Sequence, residues 1–167
     1  MSNASNPSDN STAGVVAPPP LIAVVTIALG LLMDWLFPLS VLSALFGWAA
    51  RLVIGTILFA AGGALVYLAE HQFRGVGTNV PPWKPSLKLA TSGIYQWVRN
   101  PMYVGVGLMV AGVAIALGSD WTLVLMIPAA LLLHYGVVLR EERYLEARFG
   151  EPYRAYKDSV PRYGWHR

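Results

Sequence analysis

Two short stretches of this chain carry most of the side chains that could bind or transform a polar molecule. The first, Gly93-Ile94-Tyr95-Gln96-Trp97-Val98-Arg99-Asn100-Pro101-Met102-Tyr103-Val104-Gly105, sets a cation, an amide and two tyrosines around a proline placed to open a helix. The first amide N–H groups of a helix have no intrahelical partner, so the stretch offers a polar binding wall at the mouth of an apolar bundle. The second is Glu141-Glu142, two adjacent carboxylates flanked by Arg140 and Arg143. His134 stands seven residues earlier, nearly on the same face of an α-helix, and an ionisable group inside a membrane helix usually faces a cavity or a partner. Glu70-His71 closes a long apolar run, where a carboxylate could approach the same mouth. Each group also has an ordinary structural reading: an Arg/Trp/Tyr belt at a membrane interface, a solvated charged cap and a polar helix end.

The elements that must position these groups are apolar. Of the 167 residues 55% are hydrophobic and only 13% charged, and the mean hydropathy is +0.49, far above an ordinary soluble domain. A hydrocarbon core roughly 30 Å thick needs about 20 apolar helical residues to cross it. Four runs approach that length: about 21–37, 45–70 (interrupted only by Arg51), 101–118 and 121–139. The expected fold is therefore an all-α polytopic membrane protein of about four transmembrane helices. The first run is read as a span, not a signal peptide, because no basic segment precedes it and Asp34-Trp35 follows where small residues would mark cleavage.

Residues 1–20, rich in Ser, Asn and Pro, read as a disordered tail, and 21–167 as one membrane domain. Phe37-Pro38-Leu39-Ser40 joins the first two spans as a hairpin, and the second is long enough to project beyond the membrane. From Gly75 to about Thr91 paired prolines and glycines predict an extended loop. Gly118-Ser119-Asp120 makes the third and fourth spans a tightly apposed antiparallel hairpin, with Gly105, Gly112 and Ala116 allowing close backbone approach. Beyond Leu139 the fourth helix continues to Phe149, Gly150 stops it, and a short helix follows from Pro152 to Asp158. The tail ends in the aromatic, basic segment Val160 to Trp165. Lys and Arg concentrate between the second and third spans and after the fourth, while 38–44 and 118–120 have none. Both termini and a helical C-terminal cap are thus expected on the cytoplasmic side of a multi-pass protein.

The chain has no cysteine, which excludes disulfides, a cysteine nucleophile and thiolate metal sites. His71, His134 and His166 are too scattered to suggest a metal centre. Gly75-Val76-Gly77 and Gly105-Val106-Gly107 lack the third glycine and the preceding strand of a dinucleotide fingerprint. The net charge of +3 suits membrane topology and anionic lipid contact, not nucleic acid, and no inverted repeat suggests a transporter.

In order and spacing the two stretches resemble the isoprenylcysteine carboxyl methyltransferase and phospholipid methyltransferase superfamily. The family's Arg-His-Pro-x-Tyr motif is matched by Arg99-Asn100-Pro101-Met102-Tyr103, after Gly93-Ile94-Tyr95. Its C-terminal signature is matched by Glu141-Glu142, Leu145, Phe149-Gly150, Tyr153, Tyr156 and Val160-Pro161. The resemblance covers roughly residues 70–165. It implies an S-adenosylmethionine (SAM) pocket without a Rossmann sheet, in which Tyr95, Asn100, Pro101, Tyr103, His134, Glu141 and Glu142 contact the cofactor. Arg99 would face the acceptor, and Arg99 and Glu142 would serve the reaction; Glu70, from its place at the end of the second span and not from the resemblance, is a further candidate on the acceptor side. The departure from the motif is Asn100 in place of histidine, which keeps a donor and an acceptor but cannot titrate.

SAM is a sulfonium carrying an ammonium and a carboxylate, so carboxylates, tyrosine faces and an arginine complement it. The expected reaction is methyl transfer to a lipid-like or prenylated acceptor entering from the bilayer, with a carboxylate of isoprenylcysteine type favoured because it needs no general base. A phospholipid amine or a small thiol is the alternative acceptor, and a non-catalytic lipid-binding protein of the same fold the alternative function. Membrane lipids are the other expected partners; no metal is expected, and small-residue helix faces permit a dimer without requiring one.

Overall fold

Bilayer-length apolar runs closed by glycine and proline signals give helices, and the computed structural model, which describes residues 12–77 and 84–164, has no strand among them. In chain order the helices are α1 (Pro19–Leu36), α2 (Val41–Leu45), α3 (Trp48–Val76), α4 (Pro101–Leu117), α5 (Asp120–Leu133), α6 (Leu139–Phe149) and α7 (Glu151–Ser159). A 3₁₀ turn at Gly93–Gln96 precedes α4, and a π turn at His134–Val138 links α5 to α6. Helices α1, α3 and the continuous Asp120–Phe149 stretch are each long and apolar enough to cross a membrane, and α4 is a shorter apolar helix. Exposed Trp35, Trp48, Ile57 and Ile127 on their outer faces form the surface that lipid would cover. The chain is a polytopic all-α membrane protein.

Several boundaries differ from the sequence reading for identifiable reasons. Pro19 and Pro20 occupy the first turn of α1, where proline needs no amide partner. The turn after α1 contains the extra helix α2, whose first amides at Val41 and Leu42 donate to the Asp120 carboxylate at 2.9 and 3.0 Å. Helix α3 runs to Val76 and stops only where Gly77 adopts φ 74°, so the loop begins later than Gly75. Residues 78–83 of that loop, residues 1–11 and residues 165–167, which include His166, lie outside the described residues.

The small residues serve a different pair of helices from the expected one. Helix α4 packs chiefly on α3, with Gly55 against Gly112 and Gly62 against Gly105. A Cβ on Gly112 would lie 2.6 Å from the Gly55 carbonyl oxygen, and one on Gly105 2.7 Å from that of Gly62. Helix α5 packs chiefly on α1, where Gly30 meets Thr122. The α4–α5 contact is slighter despite the short turn between them, because the face of α4 that permits closest approach is spent on α3. Gly107, on another face, meets nothing.

At the end of the bundle near α2, Ser119 donates to Asp34, Trp121 Nε1 donates to the Phe37 carbonyl at 2.7 Å, and Arg51 lies against Gly118. At the opposite end residues 14–16 lie along the π turn: the Val16 N–H donates to the Gly136 carbonyl at 3.1 Å, and Arg140 Nη1 donates to that of Gly14 at 2.9 Å.

Candidate active site

The polar pocket forms where the start of α4, the start of α6, α7 and the C-terminal segment meet. Pro101 opens α4, and just before it the backbone turns to meet the C-terminal segment: Arg99 N–H donates to the Pro161 carbonyl at 3.0 Å and Asn100 N–H to that of Arg162 at 3.3 Å. The Asn100 side-chain amide donates to the same Arg162 carbonyl at 3.3 Å. Asparagine at the position of the motif's histidine therefore ties the C-terminal segment to the helix start.

Two turns of α4 and α6 then set the charges. The Tyr103 hydroxyl donates to Glu141 Oε1 at 2.7 Å. Glu142 receives Arg162 as a fork, Nε to Oε1 and Nη2 to Oε2, both at 2.7 Å, while Arg99 Nη1 stands 2.9 Å from its Oε1 as an ion pair. The Arg99 and Glu142 side chains are only 9% and 11% exposed, so neither charge is screened as a surface pair would be. Arg99 Nε is buried with no hydrogen-bond partner among the described residues.

Aromatic rings complete the wall. Phe73 of α3 stacks on Tyr95 at 4.8 Å and 6°, and the Tyr156 hydroxyl donates to the Tyr95 carbonyl at 2.7 Å. Burial raises the Tyr95 and Tyr156 hydroxyls above the usual phenol range. Burial, reinforced by the Glu142 charge, pushes Tyr153 up to about 12, so these hydroxyls stay neutral. Hydrogen bonding to Glu142 raises Arg162.

Seven of the sequence-derived residues, Tyr95, Arg99, Asn100, Pro101, Tyr103, Glu141 and Glu142, line this one pocket, whose enclosed space is about 110 Å³. Ala13, Ser86 and Lys88 also line it, and Ser86 N–H donates to the Tyr144 hydroxyl at 2.9 Å. Glu70 is not among them; it pairs with Arg74 one turn on at 2.5 Å. His134 is not among them either. It lines a second space of about 430 Å³, almost wholly apolar, between α1, α4 and α5. There Ile22 and Thr26 face Gly107 and Val110, with Met126 and Ala130 on the third side. Tyr103 lines both spaces. The sequence reading missed Phe73 and Ser86 in the pocket wall, Tyr163 in the second space, and Arg162, whose fork holds Glu142.

A family model for phospholipid methyltransferases matches residues 50–152, from the start of α3 into α7. The chain belongs to the phospholipid methyltransferase family. Among curated proteins it is similar to the protein-S-isoprenylcysteine O-methyltransferase of Schizosaccharomyces pombe, 34% identical over 73 residues. That match covers 44% of this chain and 31% of the relative, so the chain spans under a third of the relative's length. No solved structure matches. The family match contains both the Arg99–Tyr103 motif and the paired glutamates, and so spans the polar pocket's two charged walls.

Proposed function

We propose that this member of the phospholipid methyltransferase family is a SAM-dependent methyltransferase whose polar pocket takes SAM and whose apolar cleft takes a lipid-like acceptor. The observation that carries this reading is Tyr103: one side chain borders both a charged pocket and an apolar cleft, the arrangement needed to bring a polar donor and a lipid acceptor together. The relative's name and the family's description support an acceptor of lipid character.

The residues fit SAM at its amino-acid end. Arg99 Nε is an orphaned buried donor suited to a carboxylate. Glu141 has one oxygen engaged by Tyr103, and its other oxygen suits an ammonium. The rings of Tyr95, Tyr153 and Tyr156 suit a cation. Small-molecule pockets usually hold about 300–1,000 Å³, so the whole of SAM requires lining segments such as Ser86–Lys88 to yield or take part.

Bound there, SAM supplies an electrophilic methyl group on a sulfonium. The chain's own part is to orient and to exclude water. Glu142, with both oxygens occupied, holds Arg99 and Arg162 in place; Tyr103 fixes Glu141 and separates the two spaces. Glu70 lines neither space and has no part in this reading. The Lys and Arg residues gathered at the pocket end support a cytoplasmic face for it through the positive-inside bias.

The test is calorimetric titration of SAM into the detergent-purified protein, beside Glu141→Gln and Glu142→Gln. Wild type should bind, and each variant should lose at least tenfold in affinity. A folded wild type that does not bind would leave a non-catalytic lipid-binding protein of the same fold.

A further inference from the structure

The lining of the apolar cleft constrains the acceptor's nucleophile, granted that the cleft is the acceptor site. Among the described residues its ionisable lining groups are Tyr103, His134 and Tyr163; no Lys, Arg, Asp or Glu lines it. Arg99, which lines the other space, and Arg162, next in the chain to Tyr163, are both bound to Glu142: Arg99 as a buried ion pair and Arg162 as a fork. A carboxylate or a phosphate-bearing headgroup carried into this cleft would meet no unpaired cation, and an uncompensated charge in an apolar site is costly. A neutral group with a proton to lose meets an imidazole.

His134 is held for such a role. It opens the π turn, and its Nδ1 lies 2.9 Å from the Tyr163 hydroxyl. With Nδ1–H donating to Tyr163, Nε2 is the basic nitrogen, and fixing one ring nitrogen sets the role of the other. The titratable groups around the ring are Tyr163 from the C-terminal segment, Tyr103 of α4 across the cleft and Tyr135 beside it at 4.9 Å. The α1 side contributes none: its polar lining group, Thr26, donates its hydroxyl to the Ile22 carbonyl at 2.7 Å.

We propose that His134 receives the nucleophile of the acceptor and takes its proton, and that the acceptor is an apolar chain ending in a neutral hydroxyl or thiol. The O–H or S–H bond breaks with its proton passing to Nε2. The electron pair left on oxygen or sulfur forms the new bond to the methyl carbon, whose former bonding pair stays with the sulfonium sulfur. One positive charge enters on that sulfur and remains on the imidazolium.

The experiment uses the full chain in lipid nanodiscs and three chain-matched probes: farnesol, farnesyl thiol and an S-farnesylcysteine with a free carboxylate. Without SAM, the nitrogen-15 imidazole signal of His134, assigned by its loss in His134→Gln, should move on adding either neutral probe. With SAM, His134→Gln should slow methylation of the neutral probe by about 10²–10⁴-fold, the usual worth of a positioned base. It should also flatten the rise of rate with pH while leaving SAM affinity unchanged. Tyr163→Phe should displace the His134 signal and retain part of the rate. An unmoved His134 signal overturns the proposal, as does methylation confined to the carboxylate probe at equal rate in His134→Gln. A His134 signal that moves in a protein unable to bind SAM supports the cleft as a site for neutral protic lipids and removes the methyltransferase reading instead.

Discussion

Glu142 joins two arginines that reach it from distant parts of the chain, Arg99 just before α4 and Arg162 near the C-terminal end. Removing its charge leaves Arg99 buried and Arg162 half-buried without their counter-ion, and breaking a buried pair such as Arg99–Glu142 from one side costs about 3–5 kcal/mol. Glu142→Gln should therefore lower the thermal midpoint as well as SAM affinity, whereas Glu141→Gln, which removes no ion pair among the described contacts, should affect affinity with a smaller thermal shift. Differential scanning in detergent separates the two. Tyr153 gives a pH prediction. Its folded pKa is raised to about 12, so its neutral form is favoured by folding. That stability is fully present below the unfolded phenol value near 10 and is lost as pH rises through about 12. Tyrosinate absorbance in alkali should show a late-ionising group that Tyr153→Phe removes. Seven pocket residues were legible because motif order encodes their neighbourhood. Arg162 was not: in sequence it is one more basic residue of a basic tail, and only the fold turns its fork onto Glu142. His134 shares a helical stretch with Glu141 but reaches a different space, because the π turn between them breaks the α-helical phase that the seven-residue spacing assumes.

At the scale of elements, helix lengths were readable from hydropathy, but helix partners were not. A two-residue turn between α4 and α5 fixes their antiparallel sense, while glycine positions decide which face packs, and Gly105 and Gly112 choose α3. Valine at Gly112 would drive its side chain into the backbone of α3 at Gly55 and Phe59. Overpacking of that kind costs about 1–3 kcal/mol or more, so Gly112→Val should lower the folded yield in detergent, while Gly107→Val, facing open space, should not. The π turn carries the opposite lesson. A π turn holds one residue more than the α-helical turn it replaces, so removing one residue from Gly136–Val138 should close it to a regular α-helix while α6 keeps its phase. Glu141 should stay on Tyr103 and SAM binding should survive, whereas the Val16–Gly136 contact along the π turn should be lost.

For the whole molecule, the end bearing α2 holds Asp34 and Asp120 in structural bonds, and the other end holds the pocket. Asp120, tied to the amides of α2, is a folding residue, so a neutral control for the site belongs at an exposed position such as Asp158. Because the chain has no cysteine, single cysteines at Ser43 and Asp158, both exposed, can be labelled without background. An impermeant maleimide should reach them from opposite sides of a sealed membrane; labelling from one side alone would contradict four crossings. The meeting of two spaces at Tyr103 carries a consequence for kinetics. Under the proposed function one reactant is dissolved in a volume and the other in a sheet. Diluting the membrane with inert lipid, at constant total acceptor, should then slow turnover as though substrate had been withdrawn, while diluting the buffer around the same vesicles should act only on the methyl donor.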